Sequence, residues 1–152
     1  LILCLPGGDE AGRRVAGLTQ AADLTATLAD VFEAELLSAL GRTLLPLVYG
    51  EAEEVYAYVC SGGQVGDAAE WSLRTSEWAF LLPLGPRPPR LYVKPDDRWE
   101  VNDVLQHHQE WAEGLERTLR GFVEATRRSG PLEPPGLPKA GPAEEPPGIE
   151  AE

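Results

Sequence analysis

The stretch Trp71-Ser72-Leu73-Arg74-Thr75-Ser76-Glu77-Trp78-Ala79-Phe80-Leu81-Leu82 decides how the chain is read. Trp71 to Arg74 and Trp78 to Leu82 are short runs rich in β-formers, and the polar connection Thr75-Ser76-Glu77 between them predicts a hairpin. On the N-terminal side, Val55-Tyr56-Ala57-Tyr58-Val59-Cys60 has a period near two and ends at the turn signal Ser61-Gly62-Gly63. On the C-terminal side, a loop from Pro83 to Pro89 leads to a fourth strand candidate, Leu91-Tyr92-Val93. Short strands with short polar connections predict a small antiparallel sheet. A helix then follows, because Trp111, Leu115, Leu119, Phe122 and Val123 recur at helical spacing among Glu and Arg, a stripe suited to covering one face of that sheet. Arg127 and Arg128 favour the negative end of its dipole, and Gly130-Pro131 stops it.

Upstream of the sheet the pattern changes. Leu1-Ile2-Leu3-Cys4-Leu5 is a continuous apolar run ended by Pro6-Gly7-Gly8, the signature of a buried strand of a parallel sheet. A chain that opens inside such a run, without an initiator Met, is expected to be a strand cut from what preceded it. Leu24, Leu28, Val31 and Phe32 lie on one helical face, Asp23 stands ready as N-cap, and a helix is expected from about Leu24 to Leu37. Gly41 follows as a stop, and Leu44-Leu45-Pro46-Leu47 reads as an apolar plug.

The 152 residues suffice for one domain with a core. A net charge of −12 with a pI near 4.6 argues against nucleic acid, whose phosphates need a basic face, and against the anionic membrane surface. No run reaches the length of a membrane span, and no signal peptide is visible. Cys4 and Cys60 are too few for a disulfide framework and lack metal-ligand spacing, so buried free thiols are expected. From Ser129 to Glu152 there are seven of the fourteen prolines, five glutamates and no aromatic residue, a composition expected to stay disordered.

Taken in order, these pieces resemble the C-terminal third of type I sulfatases, the arylsulfatase-like members of the alkaline phosphatase superfamily. In that family a Pro-Gly turn leads through G-x-x-V into a V-D-L-x-P-T-L-L-D-L helix; here Pro6-Gly7-Gly8 is followed by Gly12-Arg13-Arg14-Val15 and by Asp23-Leu24-Thr25-Ala26-Thr27-Leu28-Ala29-Asp30-Val31. A G-x-S-L-L-P-L-L-x-G-E segment is matched by Gly41-Arg42-Thr43-Leu44-Leu45-Pro46-Leu47-Val48-Tyr49-Gly50-Glu51. The A-L-R-T-x-x-W-K-Y stretch is similar to Ser72-Leu73-Arg74-Thr75-Ser76-Glu77-Trp78-Ala79-Phe80, and E-L-Y-D-L followed by D-P-x-E-x-x-N-L to Arg90-Leu91-Tyr92-Val93-Lys94 and Asp97 to Val104. Ala26 and Arg98 stand where the family has proline, and Asp103 where it has asparagine. The resemblance covers about residues 1 to 125, and the order of the motifs carries it.

What the resemblance implies is an α/β fold, α+β for this stretch in isolation. Residues 1–50 are expected to end the catalytic α/β domain with a strand, helix and loop. Residues 51–128 are expected to form a four-stranded antiparallel subdomain packed on a long C-terminal helix, and 129–152 a disordered tail. The family hydrolyses sulfuric esters with a formylglycine, made from a C/S-x-P-x-R motif, beside a Ca²⁺ ion. Both are expected in an upstream part, with the upstream catalytic domain as partner and a sulfated small molecule or carbohydrate as substrate. Members of the family are often periplasmic or secreted.

In this chain no catalytic, cofactor-binding or metal residue is assigned, and the substrate-binding residues are left open. Cys4-Leu5-Pro6 mimics the nucleophile motif, but Gly7-Gly8 follows and a helix start does not. His107-His108 are adjacent, so on a helix they point about 100° apart and cannot chelate one ion; a place at a helix start beside Asp103 is expected. Asp96, Asp97, Glu100 and Asp103 miss the calcium-loop pattern and read as carboxylates at a helix N-terminus. Of Trp71, Trp78, Trp99 and Trp111, a sugar-stacking platform in principle, Trp78 and Trp111 are expected in the core and Trp99 stays open. Arg87 and Arg90 read as a solvated loop that can also touch an anionic substrate. The chain is thus expected to be a catalytically inactive fragment completing the fold and cleft of a sulfatase, with a free-standing non-catalytic interaction module as the alternative.

Overall fold

The computed structural model describes residues 1–8, 10–35, 41–65, 68–128 and 133–139. They form two compact units, one of residues 1–59 with 74–77, the other of residues 60–73 with 78–152.

The first unit holds α1 (Ala22–Val31) and α2 (Leu45–Tyr49). Asp23 is not the N-cap expected from the sequence; it lies inside the first turn of α1, with no side chain capping the helix. Its carboxylate, fully buried, accepts the Gln20 N–H at 2.7 Å, the Arg42 N–H at 3.0 Å and the Tyr56 hydroxyl at 2.6 Å, so one side chain ties α1 to two later loops. Thr27 continues the tie, donating to the Asp23 carbonyl at 2.7 Å and accepting the Leu44 N–H at 2.9 Å. Gly41 is more than a helix stop. A Cβ there would run into the Ala22 carbonyl and the Asp23 nitrogen, so only glycine allows this backbone approach.

Helix α1 is shorter than the 24–37 span expected. Glu33 takes φ 52° and the Ala34 N–H reaches the Ala29 carbonyl at 2.8 Å, closing the helix in a Schellman turn; residues 36 and 37 lie outside the described residues. The Leu44 to Leu47 plug is the start of α2, ended in the same way by Gly50 at φ 75°, and Leu44 and Leu47 are buried as expected.

Leu1 to Leu5 is not a strand. Leu1, Ile2 and Leu3 are exposed, and among the described residues no strand lies beside them to accept a ladder, without which a strand has no stable hydrogen bonding. The Pro6–Gly8 turn does form, as a 3₁₀ turn with Gly7 and Gly8 at positive φ.

The second unit carries, but for the end residues Val59 and Arg74, the strands β1 (Val59–Val65), β2 (Ala68–Arg74), β3 (Trp78–Pro83) and β4 (Arg90–Val93), a four-stranded antiparallel sheet in sequential order. The expected hairpin and fourth strand are present. The first strand is displaced: Val55 to Tyr58 lie outside the sheet, where the Val55 carbonyl accepts Arg42 and Tyr56 reaches Asp23, and β1 runs through Ser61-Gly62-Gly63 instead of turning there. Helix α3 (Gln109–Thr126) presents Ala112, Leu115 and Leu119, all buried, alongside the buried Phe80 and Leu91, which are register partners between β3 and β4. Burying each such large apolar side chain is worth about 2 kcal/mol.

The C-terminal stretch differs in part from its expected disorder. Residues 133–139 lie along α3, where the Thr118 hydroxyl donates to the Gly136 carbonyl at 3.1 Å; 129–132 and 140–152 lie outside the described residues.

Candidate functional site

Between β1 and β2, Ser61 and Ser72 meet, hydroxyl to hydroxyl at 2.7 Å, and on the other face the Trp71 indole occupies the space a Cβ on Gly62 would take, at 2.9 Å. Glu70 shares a face with Ser72, two residues along. Its carboxylate accepts Arg90 from the far strand at 2.8 Å. Together with Leu81 and Arg87 they line an open cleft of about 340 Å³. Phe80 and Ala112 line a different depression, so by strand alternation the Leu81 face of the sheet is turned away from α3. The arginines and the paired hydroxyls can donate hydrogen bonds to a polar ligand, whereas the Glu70 carboxylate, already engaged by Arg90, only accepts; the group includes no nucleophile with an adjacent base. Sequence reasoning singled out Arg87 and Arg90 and missed the serines, which become neighbours only through strand pairing.

The segment after β4 uses its charges on itself. Lys94, almost wholly buried, donates to the Asp97 carbonyl at 2.7 Å and pairs with Glu100 at 3.0 Å. The Asp97 carboxylate accepts the N–H groups of Val101 and Asn102, at 3.0 and 2.9 Å, and these bonds hold it below the usual carboxylate range. Asp103 accepts Leu91 N–H at 3.1 Å and Leu105 N–H at 3.0 Å, anchoring the edge of β4 to the 3₁₀ turn Leu105–His107 that precedes α3. These carboxylates therefore order a loop, with only Asp103 near a helix start. His108 sits at the N-terminal boundary of α3 without a side-chain cap, and its ring packs edge-on against Trp78 at 5.0 Å.

The four tryptophans do not share one role. Trp78 and Trp111, expected in the core, pack against each other at 6.3 Å and are half-buried. Trp71 covers Gly62, and Trp99 stands 79% exposed with the Arg98 guanidinium 5.3 Å from its ring. The thiols also differ from expectation: Cys4 is exposed, while Cys60 is half-buried and burial pushes it up to about 12. Among the described residues no group of three His, Cys, Asp or Glu side chains is placed to hold a metal ion. A calcium ion does not fit the acidic segment, whose Asp97, Glu100 and Asp103 side chains are already engaged by their own chain.

On α1 the apolar stripe faces outward. Leu24, Leu28 and Phe32 are 36%, 57% and 75% exposed, whereas Asp23, Ala26 and Thr27 form the buried side. The helix turns its small and polar face inward and offers its large apolar face, an arrangement that in a soluble protein marks a surface meant to be covered.

Solved structures reproduce this architecture. A 2-O GAG sulfatase matches 69% of this chain and 24% of its own, at 21% identity and a TM-score of 0.53. The phosphonate monoester hydrolase of Silicibacter pomeroyi matches 70% of this chain and 25% of its own, at 23% identity and a TM-score of 0.53. The chain has a sulfatase-like fold. A further match, over 69% of this chain and 23% of its own at 19% identity and a TM-score of 0.51, is to a protein solved in complex with its substrate D-glucosamine-2-N,6-O-disulfate. The similarity is to sulfatase C-terminal regions, as the order of motifs implied, and the chain spans about a quarter of the length of these structures. No protein-family model and no curated protein matches it at the level of sequence.

Proposed function

We propose that this chain is the C-terminal part of a sulfatase-type ester hydrolase, completing the fold and one wall of the cleft of a catalytic α/β domain that lies upstream. The observation that carries the reading is the outward stripe Leu24–Leu28–Phe32 on α1, which an adjoining domain would cover. We assign the nucleophile and metal to that domain, a reading supported by Cys4, which runs into a 3₁₀ turn rather than a helix, and by Asp97, Glu100 and Asp103, whose side chains are engaged within their own segment. No catalytic step runs through the residues of this chain. A sulfate ester of a carbohydrate is the substrate class we favour, supported by the arginines and paired serines of the sheet cleft and by the sulfated sugar bound by one structural neighbour.

The test is an assay of sulfate, phosphate and phosphonate monoesters with this chain alone and with the polypeptide that includes its upstream sequence. Hydrolysis is expected only from the longer polypeptide, and Leu28→Asp with Phe32→Asp should lower its yield of soluble active enzyme. Turnover by the 152-residue chain itself would sink the proposal.

A further inference from the structure

We infer that the side of α3 formed by Gly114, Thr118 and Gly121 is a docking groove for an extended proline-rich segment, filled by the chain's own residues 134–138 as a strap. The three groove residues stand at i, i+4 and i+7, hence on one side of the helix, distinct from the Ala112–Leu115–Leu119 side that is buried with the sheet. Glycine inside a helix is unfavourable relative to alanine, so two of them seven residues apart need a reason. The strap supplies it. A Cβ on Gly114 would meet Pro138 at 2.8 and 2.9 Å, and one on Gly121 would meet Pro135 at 3.2 Å. Between them Thr118, 5% exposed, donates its hydroxyl to the Gly136 carbonyl at 3.1 Å.

The spacings agree. Seven helical residues rise about 10.5 Å, and the three residues from Pro135 to Pro138 span about 9 Å in a polyproline II conformation. The Gly114–Pro138 and Gly121–Pro135 approaches put both prolines against the helix and run the strap antiparallel to it, at the three-residue repeat of a polyproline II turn. Proline fixes φ at positions 134, 135 and 138 before docking, which lowers the chain entropy lost when the strap seats. Residues 134–138, which build no core of their own, are thereby held by a surface shaped for them.

The test uses the full chain carrying Cys4→Ser and Cys60→Ala, to which Gly121→Cys and Pro135→Cys are added. The Cβ position at Gly121 lies 3.7 Å from the Pro135 Cβ, inside the range of about 3.5 to 4.5 Å that a disulfide requires. After oxidation and trypsin digestion, peptide 121–127 should be found joined to peptide 129–139 in most molecules. A control pair of Gly85→Cys, at an open loop position, with Pro135→Cys should link far less. Adding Gly114→Leu should reduce the Gly121 pair to the control yield. Equal linkage in the two pairs, or indifference to Gly114→Leu, overturns the strap. Should the cysteine variants fail to fold, the otherwise unaltered chain still decides: tryptic cleavage after Lys139 must be slower than in the Gly114→Leu variant, and equal rates overturn the inference.

Discussion

The Tyr56 hydroxyl donates to the Asp23 carboxylate at 2.6 Å across 33 residues of sequence, and the contact raises the phenol from 10.0 to about 12, through burial first and the carboxylate second. The folded chain therefore holds this proton more tightly than the unfolded chain. Its contribution to stability is complete below pH 10 and drains away as the pH rises through about 12. In a Cys60→Ala background, which removes the half-buried thiol that titrates in the same range, the urea midpoint is expected to fall between those values. Tyr56→Phe should flatten that fall and cost about 1 kcal/mol at neutral pH, since Asp23 keeps two N–H donors. An alkaline profile identical in the two proteins would contradict the arrangement.

Removing the acceptor is a larger change than removing one donor. Asp23→Ala takes the acceptor from the Gln20 and Arg42 N–H groups and the Tyr56 hydroxyl in part-buried surroundings, and the expected loss is about 2 kcal/mol in urea denaturation. A loss below about 1 kcal/mol would mean that water replaces the carboxylate.

Gly41→Ala places a methyl group against the Ala22 carbonyl, where backbone and not a flexible side chain must yield. Overpacking of this kind costs about 1 to 3 kcal/mol. Gly63→Ala, with nothing within 4 Å of the new methyl, should change thermal stability little, and the contrast between the two melting curves is the check.

The two thiols should separate cleanly. Cys4 is exposed and is expected to react at once with an aromatic disulfide reagent at neutral pH, whereas Cys60, pushed to about 12 by burial, has almost no thiolate to offer. One fast equivalent in the native chain and two after unfolding is the expected result; two fast equivalents would show that the Cys60 site opens freely.

How far the sequence led depended on what each residue reports. The β2–β3 hairpin, Leu91 to Val93 and α3 were legible because their apolar residues alternate or recur with a period that their packing then uses. Val55 to Tyr58 misled for a specific reason: Tyr56 is a strong β-former whose hydroxyl is taken by Asp23, so a long-range polar contact overrides local propensity. The Leu24–Leu28–Phe32 stripe announced a helix correctly, but periodicity identifies a face and not what covers it. Gly114 and Gly121 left no mark in a reading drawn to large apolar side chains, although two glycines in a strong helix were the available signal for the strap. The open cleft escaped because Ser61 and Ser72 become neighbours only through the hairpin register.

The central claim, that this chain belongs to a larger hydrolase, is met most directly by reading the genomic sequence immediately upstream of the Leu1 codon. The account predicts an uninterrupted frame encoding an α/β domain with a C/S-x-P-x-R nucleophile motif and a set of acidic metal ligands. A stop codon followed by a start codon beside Leu1 would contradict it and leave a free-standing module with a sulfatase-like fold.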